Sequence, residues 1–455
     1  MIAPKTPAKP AAAGPKINKY LITAAQRGAV VAQPQLAGLE NYAKLIGAQI
    51  FILPLDGLND SDMLDPVLTK HTVINGNYEL TRILYIRHFN VRPQAVNPLG
   101  GNIARQVAAT KSAIIASPKQ FLKPCANGLS ALSKTLVSTG AITEPHYRDN
   151  QTGNVASGDH VIGALYVETQ GELYNLRFIQ ITDTGAIYDL GNRIKPKSKK
   201  LTPSTIDTLV LGDWHTRSIC PLVRTATRRM IQTLKPKHLI VHDLFDGTSV
   251  NHHESLLAVT RALRSAASEL NLKDELFDCG TELEFLQNSG SPTMQIHVVK
   301  SNHDEFLDRY LEAGLHVKDP QNYVIGSALV VAMSKKLDPL EEGIYMATGK
   351  RLPRVHFLHR DQDFYRYNWQ LGAHGDLGAN GSKASMAQLE VAYSKSITGH
   401  KHTPEIMRNT IVVGTSTRLD PRYVKGLSSW MNAHVLIQPN GKAQMILIVD
   451  GRYEF

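Results

Sequence analysis

The chain has little cysteine and no long apolar run, and both absences exclude whole classes of protein. Its 455 residues include three cysteines, Cys125, Cys220 and Cys279, which lie far apart and form no CxxC pair. A disulfide framework and a structural zinc site are therefore not expected. No stretch approaches the roughly 18 apolar residues of a membrane span, and residues 1–17 lack the apolar segment of a secretory signal. We expect a cytoplasmic protein without membrane contacts.

Glycine and proline do not rise above background levels, and the composition is that of a globular protein. The chain has 33 Gly and 23 Pro, with 42% hydrophobic and 20% charged residues, which excludes collagen-like and generally disordered chains. At about 150 residues per domain, the length predicts two or three domains. Only residues 1–17, rich in Pro, Ala and Lys, are expected to form a disordered basic tail.

Acidic residues are scarce in two parts of the chain. In the first part, residues 1–39, there is no acidic residue, because Glu40 is the first in the chain. The five basic residues of this part give it a net charge of +5. Residues 193–240 contain eleven Lys and Arg against two Asp, a net charge of +9 within a total of +10. Clustered positive charge favours polyanions, because each neutralised phosphate releases counterions. A solubilising tail and linker would explain the same charge.

The N-terminal region begins with a predicted βαβ unit. Residues 20–24 and 49–53 have strand patterns, and residues 34–46 between them have a helical one. A small doubly wound α/β domain is therefore expected over residues 18–192, although the loop after its first strand lacks GxGxxG, which argues against dinucleotide binding. Residues 193–200 are expected to be a basic linker, and residues 201–455 a second α/β domain.

In the second domain, clusters of Asp, Asn and His follow predicted strands. Ligands gather beyond the carboxyl ends of strands in open α/β sheets. The predicted strands are 208–211, 238–241, 295–299 and 396–398, and the clusters are 212–215, 242–247, 301–304, 372–376 and 399–402. Residues two apart on a strand point to one side, so Asp213 with His215, and His400 with His402, each offer a pair of ligands. Such donors suit Mn²⁺, Fe²⁺ or Zn²⁺, and a shared carboxylate would bridge two ions.

The order of these motifs, DxH, GDxxD, GNH(D/E), H and GHxH, resembles that of the calcineurin-like metallophosphoesterases over residues 205–450. The resemblance implies a four-layer α/β/β/α sandwich for residues 201–455, preceded by a smaller α/β domain. It also implies two divalent ions, Mn²⁺ foremost, with Fe²⁺, Zn²⁺ and Mg²⁺ as alternatives. Carried over by position, the ligands of the first metal would be Asp213, His215, Asp243 and His402, and those of the second Asp243, Asn302, His374 and His400.

The resemblance also implies roles around the metals. His303 would stabilise the transition state or protonate the leaving oxygen, and a metal-bridging hydroxide would be the nucleophile. Asp246 and Asp304 would orient ligands from outside the coordination sphere.

The sequence departs from the family pattern at two positions. His242 and Ser301 stand where the family usually has glycine, and neither change removes a ligand. The fourth motif is a single histidine, for which His356 and His359 compete with His374. We prefer His374 because glycines surround it, and a glycine-rich loop lets the backbone approach a phosphate.

With its basic residues and its additional domain, the chain resembles the DNA-repair nuclease branch of this family. It also resembles a phage-encoded member, one that degrades host DNA. No extension that would bind an ATPase partner is found. Trp214 stands between two ligands and either stacks on a base or, as is more common for such a tryptophan, packs the wall of the site. The residues predicted to contact nucleic acid are Arg217, Arg224, Arg228, Arg229, Lys197, Lys199 and Lys200; for the arginines, a solvated helix face is the alternative.

The sequence hypothesis is therefore a hydrolase: a Mn²⁺-dependent DNase of the cytoplasm, or of the host cytoplasm if phage-encoded, with endonuclease and exonuclease action both open. One alternative is a phosphatase or cyclic-nucleotide phosphodiesterase. Another is a non-catalytic nucleic-acid-binding or host-shutoff protein. Residues 18–192 are expected to act as a scaffold or as an assembly module for a homo-oligomer.

Overall fold

The computed structural model describes residues 16–89, 91–101, 103, 105–106, 111–128, 134–254, 256–419 and 426–455. They form a mixed α/β protein, which confirms the expected class. The helices are α1 (Gln33–Ile46), α2 (Gln151–Gly158), α3 (Pro221–Leu234), α4 (Ala258–Ala266), α5 (Leu272–Ser289), α6 (Glu305–Glu312), α7 (Tyr323–Ser334), α8 (Pro339–Thr348) and α9 (Met386–Tyr393). Of the predicted tail, residues 1–15 lie outside the described residues, and the first strand already begins at Ile17.

The strands belong to four sheets within the described residues. In chain order they are β1 (Ile17–Gln26), β2 (Gln49–Leu55), β3 (Thr72–Val73), β4 (Tyr78–Thr81), β5 (Leu84–Arg87), β6 (Ser112–Ile115), β7 (Phe121–Cys125), β8 (Lys134–Ser138), β9 (Gly163–Gln170), β10 (Leu173–Gln180), β11 (Ile187–Asp189), β12 (Asn192–Ile194), β13 (Thr202–Pro203), β14 (Thr208–Val210), β15 (His238–His242), β16 (Gln295–Val299), β17 (Val355–Leu358), β18 (Tyr365–Arg366), β19 (Trp369–Gln370), β20 (Ser396–Thr398), β21 (Glu405–Met407), β22 (Thr410–Val412), β23 (Ala433–Ile437) and β24 (Ala443–Leu447). The strand orders are β10-β9-β1-β2-β3, β11-β12-β13, β17-β16-β15-β14-β23-β24 and β18-β19-β20-β22-β21-β7-β8-β6-β5-β4.

The six-stranded sheet is buried on both faces. Its strands β14 to β17 run parallel, and their apolar runs are typical of parallel strands with two covered faces. Leu209 faces a core that it shares with residues of α3, α5, α6 and α8, whereas Val210 faces the opposite core. Helix α3 places Met230 in the first core and exposes Arg228, as expected of an amphipathic surface helix.

The opposite core joins the N-terminal region to the rest of the chain. Val210 packs there in a cluster with Leu165 from the five-stranded sheet and Ile411 from the ten-stranded sheet. In the ten-stranded sheet, β7 pairs with β21 in antiparallel register, with Leu122 opposite Ile406. The ten-stranded sheet therefore contains strands from before and after the predicted linker at residues 193–200. This linker does not separate the sheets into two domains.

The predicted N-terminal βαβ unit is present, with β1 and β2 parallel. Helix α1 has Pro34 in its first turn and ends at Gly47, whose backbone is left-handed. The sheet is mixed rather than doubly wound, because β9 pairs antiparallel with both β1 and β10. In the predicted linker, Ile194 belongs to β12 and is buried.

The predicted strands that precede the ligand clusters are found as β14, β15, β16 and β20. Between β15 and α5, helix α4 covers Ala258–Ala266, and a 3₁₀ turn over His252–Glu254 precedes it. Among the described residues, no helix is long and apolar enough to span a membrane.

A buried carboxylate ties the N-terminal region to β24. Asp189 accepts hydrogen bonds from Arg177 Nε at 2.6 Å and Arg177 Nη2 at 2.7 Å, and from Gln444 Nε2 of β24 at 2.9 Å. The Tyr42 hydroxyl of α1 also donates to it. The side chains of Arg177 and Asp189 are 6% and 5% exposed, so both charges depend on this pairing.

We predict that Asp189→Asn lowers the free energy of unfolding by about 3–5 kcal/mol, because the buried Arg177 guanidinium loses its counter-charge. Urea denaturation measures the change. Glu172→Gln is the matched control, since it breaks an exposed pair with Arg82 and should cost about 1 kcal/mol or less. Equal losses in the two variants would contradict the anchoring role.

Candidate metal centre

All seven predicted metal ligands lie in one cluster beyond the strand ends. Asp213 and His215 follow β14, Asp243 follows β15 and Asn302 follows β16. The other three are His374, after β19, and His400 and His402, after β20. Chain segments up to 190 residues apart in sequence therefore converge because their strands end near the same place.

The first group of ligand atoms surrounds the side chain of His215. Its Nε2 lies 3.4 Å from Asp243 Oδ2 and 3.0 Å from His402 Nε2. His402 Nε2 in turn lies 3.3 Å from Asp213 Oδ2. Three of these residues, His215, Asp243 and His402, form one group whose ligand atoms all lie within 4.8 Å of one another.

The second group shares Asp243 with the first. His374 Nε2 lies 3.4 Å from Asp243 Oδ2 and 3.1 Å from Asn302 Oδ1, and His400 Nδ1 lies 3.2 Å from the same Asn302 oxygen. His374 is the fourth-motif histidine that joins the cluster. The competing His356 lies away from the ligands. Its ring stacks on His297 of β16, and its Nε2 forms a hydrogen bond with Gln295.

The donor set fits divalent metal ions. Ligands on one ion with bonds of about 2.1 Å lie about 3.0–3.4 Å apart, the spacing found in both groups. Both carboxylate oxygens of Asp213, and Oδ1 of Asp243, are buried and form no hydrogen bond with described residues. Buried carboxylates are normally paired or coordinate a metal. Two cations that share Asp243 would satisfy these oxygens.

The ionisation of the ligands agrees with this fit. Burial lowers the pKa of His374 and His402 well below the usual value, which keeps both imidazoles neutral, as metal ligands must be. Burial and the charge of Asp243 raise the pKa of Asp213 well above its usual value. Burial alone would lower the pKa of His215, but the neighbouring Asp243 raises it well above 6.5. A bound cation would lower the pKa of both groups, so metal binding would release a proton wherever Asp213 or His215 carries one.

Two further acids hold the loops that carry the ligands. Asp246 lies 3.1 Å from His215 Nδ1 and accepts a hydrogen bond from the backbone N–H of Arg217. Asp304 accepts hydrogen bonds from the backbone N–H groups of Ser301 and Phe245, so it links the loops after β16 and β15. Both acids therefore hold the loops in place, and their role in orienting metal ligands stays a prediction.

The backbone is strained at four ligands. His215, Asp243, His400 and His402 have φ angles of 46°, 47°, 74° and 57°, in the left-handed region that residues other than glycine rarely adopt. Such residues cost of order 1–3 kcal/mol each and cluster at functional sites. The site also requires a glycine at position 399, because a Cβ there would lie 2.1 Å from Asp213 Oδ1.

His303 lies beside the ligands but outside both groups. Its Nδ1 is 2.8 Å from the backbone carbonyl of Asp246, and its ring packs edge-on against His215 with centroids 4.8 Å apart. Nδ1 therefore donates to the carbonyl, and Nε2 is left for a substrate. The cavity here has a volume of about 300 Å³. It is lined by His215, Ser218, Asp243, Asp246, Thr248, Asn251, Glu254, Arg264, Asn302, His303, His400, His402, Thr417 and Trp430.

The predicted arginine track does not form a free cationic surface. Arg217 Nε donates to Asp278 at 2.8 Å and Arg224 Nε to Glu282 at 3.0 Å, both acids lying on α5. Their charges are thus neutralised by a facing helix. Arg229 lies 3.6 Å from Glu454. Of the four arginines, Arg228 is the one that is exposed and forms no ion pair with described residues.

The remaining predicted contacts divide in two. Lys197, Lys199 and Lys200 are exposed and form no ion pair with described residues, so their contact with nucleic acid stays a prediction. Trp214 is 0% exposed and packs in the core beneath the site, which agrees with packing, the more common of its two expected roles, and leaves no ring face for a base. The tryptophan that lines the cavity is Trp430, which no motif marks in the sequence.

We predict that Mn²⁺ stabilises the chain through this cluster. At a concentration of 100 times its Kd, one bound ion adds about 2.7 kcal/mol to the free energy of unfolding. Asp243→Asn should abolish most of the stabilisation because it removes the shared ligand, whereas Asp278→Asn, an acid outside the cluster, should keep it. Calorimetry should find two ions per wild-type chain, and an apparent affinity that rises with pH as protons leave Asp213 and His215. Full stabilisation of the Asp243 variant would contradict the assignment.

Comparison with known proteins finds a similarity to a phage protein. The chain is 28% identical to "Protein A1" of Escherichia phage T5 over 467 aligned positions, which cover 96% of this chain and 83% of that protein. No protein-family profile and no solved structure matches the chain. The name of the relative states no activity. The chain is therefore similar, over nearly its whole length, to a phage protein.

Proposed function

We propose that the chain is a phosphodiesterase that uses two divalent metal ions, foremost Mn²⁺, to cleave DNA. The observation that carries the proposal is the carboxylate of Asp243, which two groups of ligand atoms share beside an open cavity. Two ions about 3.5–4 Å apart, joined by a shared ligand, are the arrangement that stabilises the attacking and leaving oxygens of a phosphoryl displacement.

We further propose that the sheets form the four-layer sandwich implied by the family resemblance. Helices α3, α5, α6 and α8 cover one face of the six-stranded sheet, and the ten-stranded sheet shares the core on its other face. Helix α9, which runs between β19 and β20, would belong to the outer layer. The ligand loops would then all lie at one edge of the paired sheets.

The protein residues divide the chemistry among themselves. Asp213, His215, Asp243 and His402 would hold one ion, and Asp243, Asn302, His374 and His400 the other. When bound, the ions would supply Lewis acidity toward the phosphate and lower the pKa of water. Asp246 would keep the His215 ring in the orientation that leaves Nε2 for the metal.

His303 is placed to move a proton at the leaving oxygen. Its Nδ1–H is held by the Asp246 carbonyl, so only Nε2 can exchange a proton with a substrate. A protonated imidazole would donate from Nε2 to the departing alkoxide, a transfer that contributes about 10²–10⁴-fold to a rate. The ring contact with His215 fixes the distance between this proton and the metal ligands.

DNA is favoured as the substrate by charge. The net charge is +10, and the exposed Lys197, Lys199 and Lys200 add free cations to the surface. The similarity to a phage protein agrees with a place of action in the infected host's cytoplasm.

We predict cleavage of both linear and closed-circular DNA by the purified chain with Mn²⁺, lost in Asp213→Ala. DNA affinity should fall steeply with added salt, because phosphate contacts release counterions. Hydrolysis of bis-p-nitrophenyl phosphate without DNA cleavage would instead favour a phosphodiesterase of small substrates.

His303→Ala should lower kcat on DNA by about 10²–10⁴-fold, because a poor leaving group needs the proton. The loss should be much smaller on bis-p-nitrophenyl phosphate, whose leaving group departs without a proton. Metal stoichiometry by calorimetry should stay at the wild-type value. Equal losses on the two substrates would exclude the proton-donor role.

A further inference from the structure

We propose that the indole of Trp430 stacks on the nucleobase next to the scissile phosphate, so that the centre selects nucleic acid in which this base is unstacked. The inference rests on the proposed function and names the form of its substrate. It is carried by the position of Trp430, on the wall of the cavity that holds the metal ligands.

The indole lies against a metal ligand. Its ring centroid is 4.2 Å from that of His402, at an interplanar angle of 61°. The side chain is partly exposed, in contrast to Trp214, which is fully buried. A phosphodiester whose phosphate lies at His402 and His303 would therefore bring one of its ester groups close to the indole.

Trp430 is held firmly in this place. Its backbone N–H donates to Ser428 Oγ at 3.2 Å, and Ser428 exchanges two backbone hydrogen bonds of 3.0 Å with Asn127 of the N-terminal region. The next residue, Met431, donates its backbone N–H to the carbonyl of His402 at 3.2 Å. A ring on such a fixed backbone loses little conformational entropy on binding, which favours a stacking role.

The chemistry of the cavity singles out this side chain. Among its described lining residues, Trp430 is the one with an indole or phenyl ring, and the others are polar or charged. An apolar π-surface in a polar phosphate site suits a ligand that is charged at one end and planar at the other. A nucleotide has this form, and stacking on aromatic side chains tolerates every base.

Stacking on Trp430 requires a base with a free face. In a duplex, each base is covered by its neighbours, and exposing one costs a few kcal/mol. Single strands and frayed ends largely avoid this cost. The geometry therefore points to unpaired nucleotides as the preferred substrate.

Binding tests the inference without catalysis. In a His303→Ala background with Mn²⁺, we expect Trp430→Ala to weaken binding of a labelled oligo-dT by about 5- to 150-fold, the equivalent of one stacked base. The same substitution should weaken the binding of an abasic oligomer of the same length much less. Trp430→Phe should restore most of the affinity, and Leu427→Ala, an exposed residue of the same segment, should match the parent. Equal losses on both oligomers would overturn the inference.

Kinetics supplies the second arm. Thymidine 5′-(p-nitrophenyl phosphate) and methyl p-nitrophenyl phosphate share a leaving group but differ in the base. Trp430→Ala should lower kcat/KM for the thymidine ester by at least 5-fold more than for the methyl ester, and should narrow the preference for single-stranded over duplex DNA. If the ratio of kcat/KM for the thymidine ester to kcat/KM for the methyl ester does not change, Trp430 only packs on His402. If neither ester nor DNA is hydrolysed by the wild type, the proposed function fails, and the binding arm alone decides the stacking.

Discussion

Asp213 and Asp243 bring two carboxylates into the interior of the chain, and no lysine or arginine among the described residues pairs with either. Much of the surrounding structure serves this arrangement. The ends of β14 and β15 deliver the two acids, and the loops after β16, β19 and β20 add the neutral donors. Left-handed backbone at Asp243 and His402 aims their side chains, and Gly399 leaves room for Asp213. Such an arrangement is costly in the absence of cations and favourable in their presence.

The N-terminal region contributes to the same site from a distance. Its strands extend the ten-stranded sheet through the pairing of β7 with β21, and the backbone bonds between Asn127 and Ser428 hold the segment that carries Trp430. The buried pair of Arg177 and Asp189 fixes the region to β24 through Gln444. The region thus supports the segment that carries Trp430, although the described lining residues of the cavity all come from His215 onward.

The sequence predicts that the seven side chains lie together, because four of the five clusters directly follow an apolar strand and can be read locally. The rule that strand ends converge then brings these clusters to one place. Long-range packing is not readable in this way. Nothing in the spacing of Arg217 and Arg224 reveals that Asp278 and Glu282 face them from α5. Position next to a motif also says little about which tryptophan lines the cavity: Trp214 stands between two ligands in sequence and is buried in the core, whereas Trp430, which no motif marks, lines the cavity. The shared sheet was equally hidden, because β7 and β21 are almost 300 residues apart.

The central claim is that Asp243 joins two metal ions. Crystals grown with Mn²⁺ and measured for anomalous scattering test it directly. The account predicts two strong peaks about 3.5–4 Å apart on either side of the Asp243 carboxylate, one beside Asp213, His215 and His402 and the other beside Asn302, His374 and His400. A single peak, or peaks that do not touch Asp243, would contradict it.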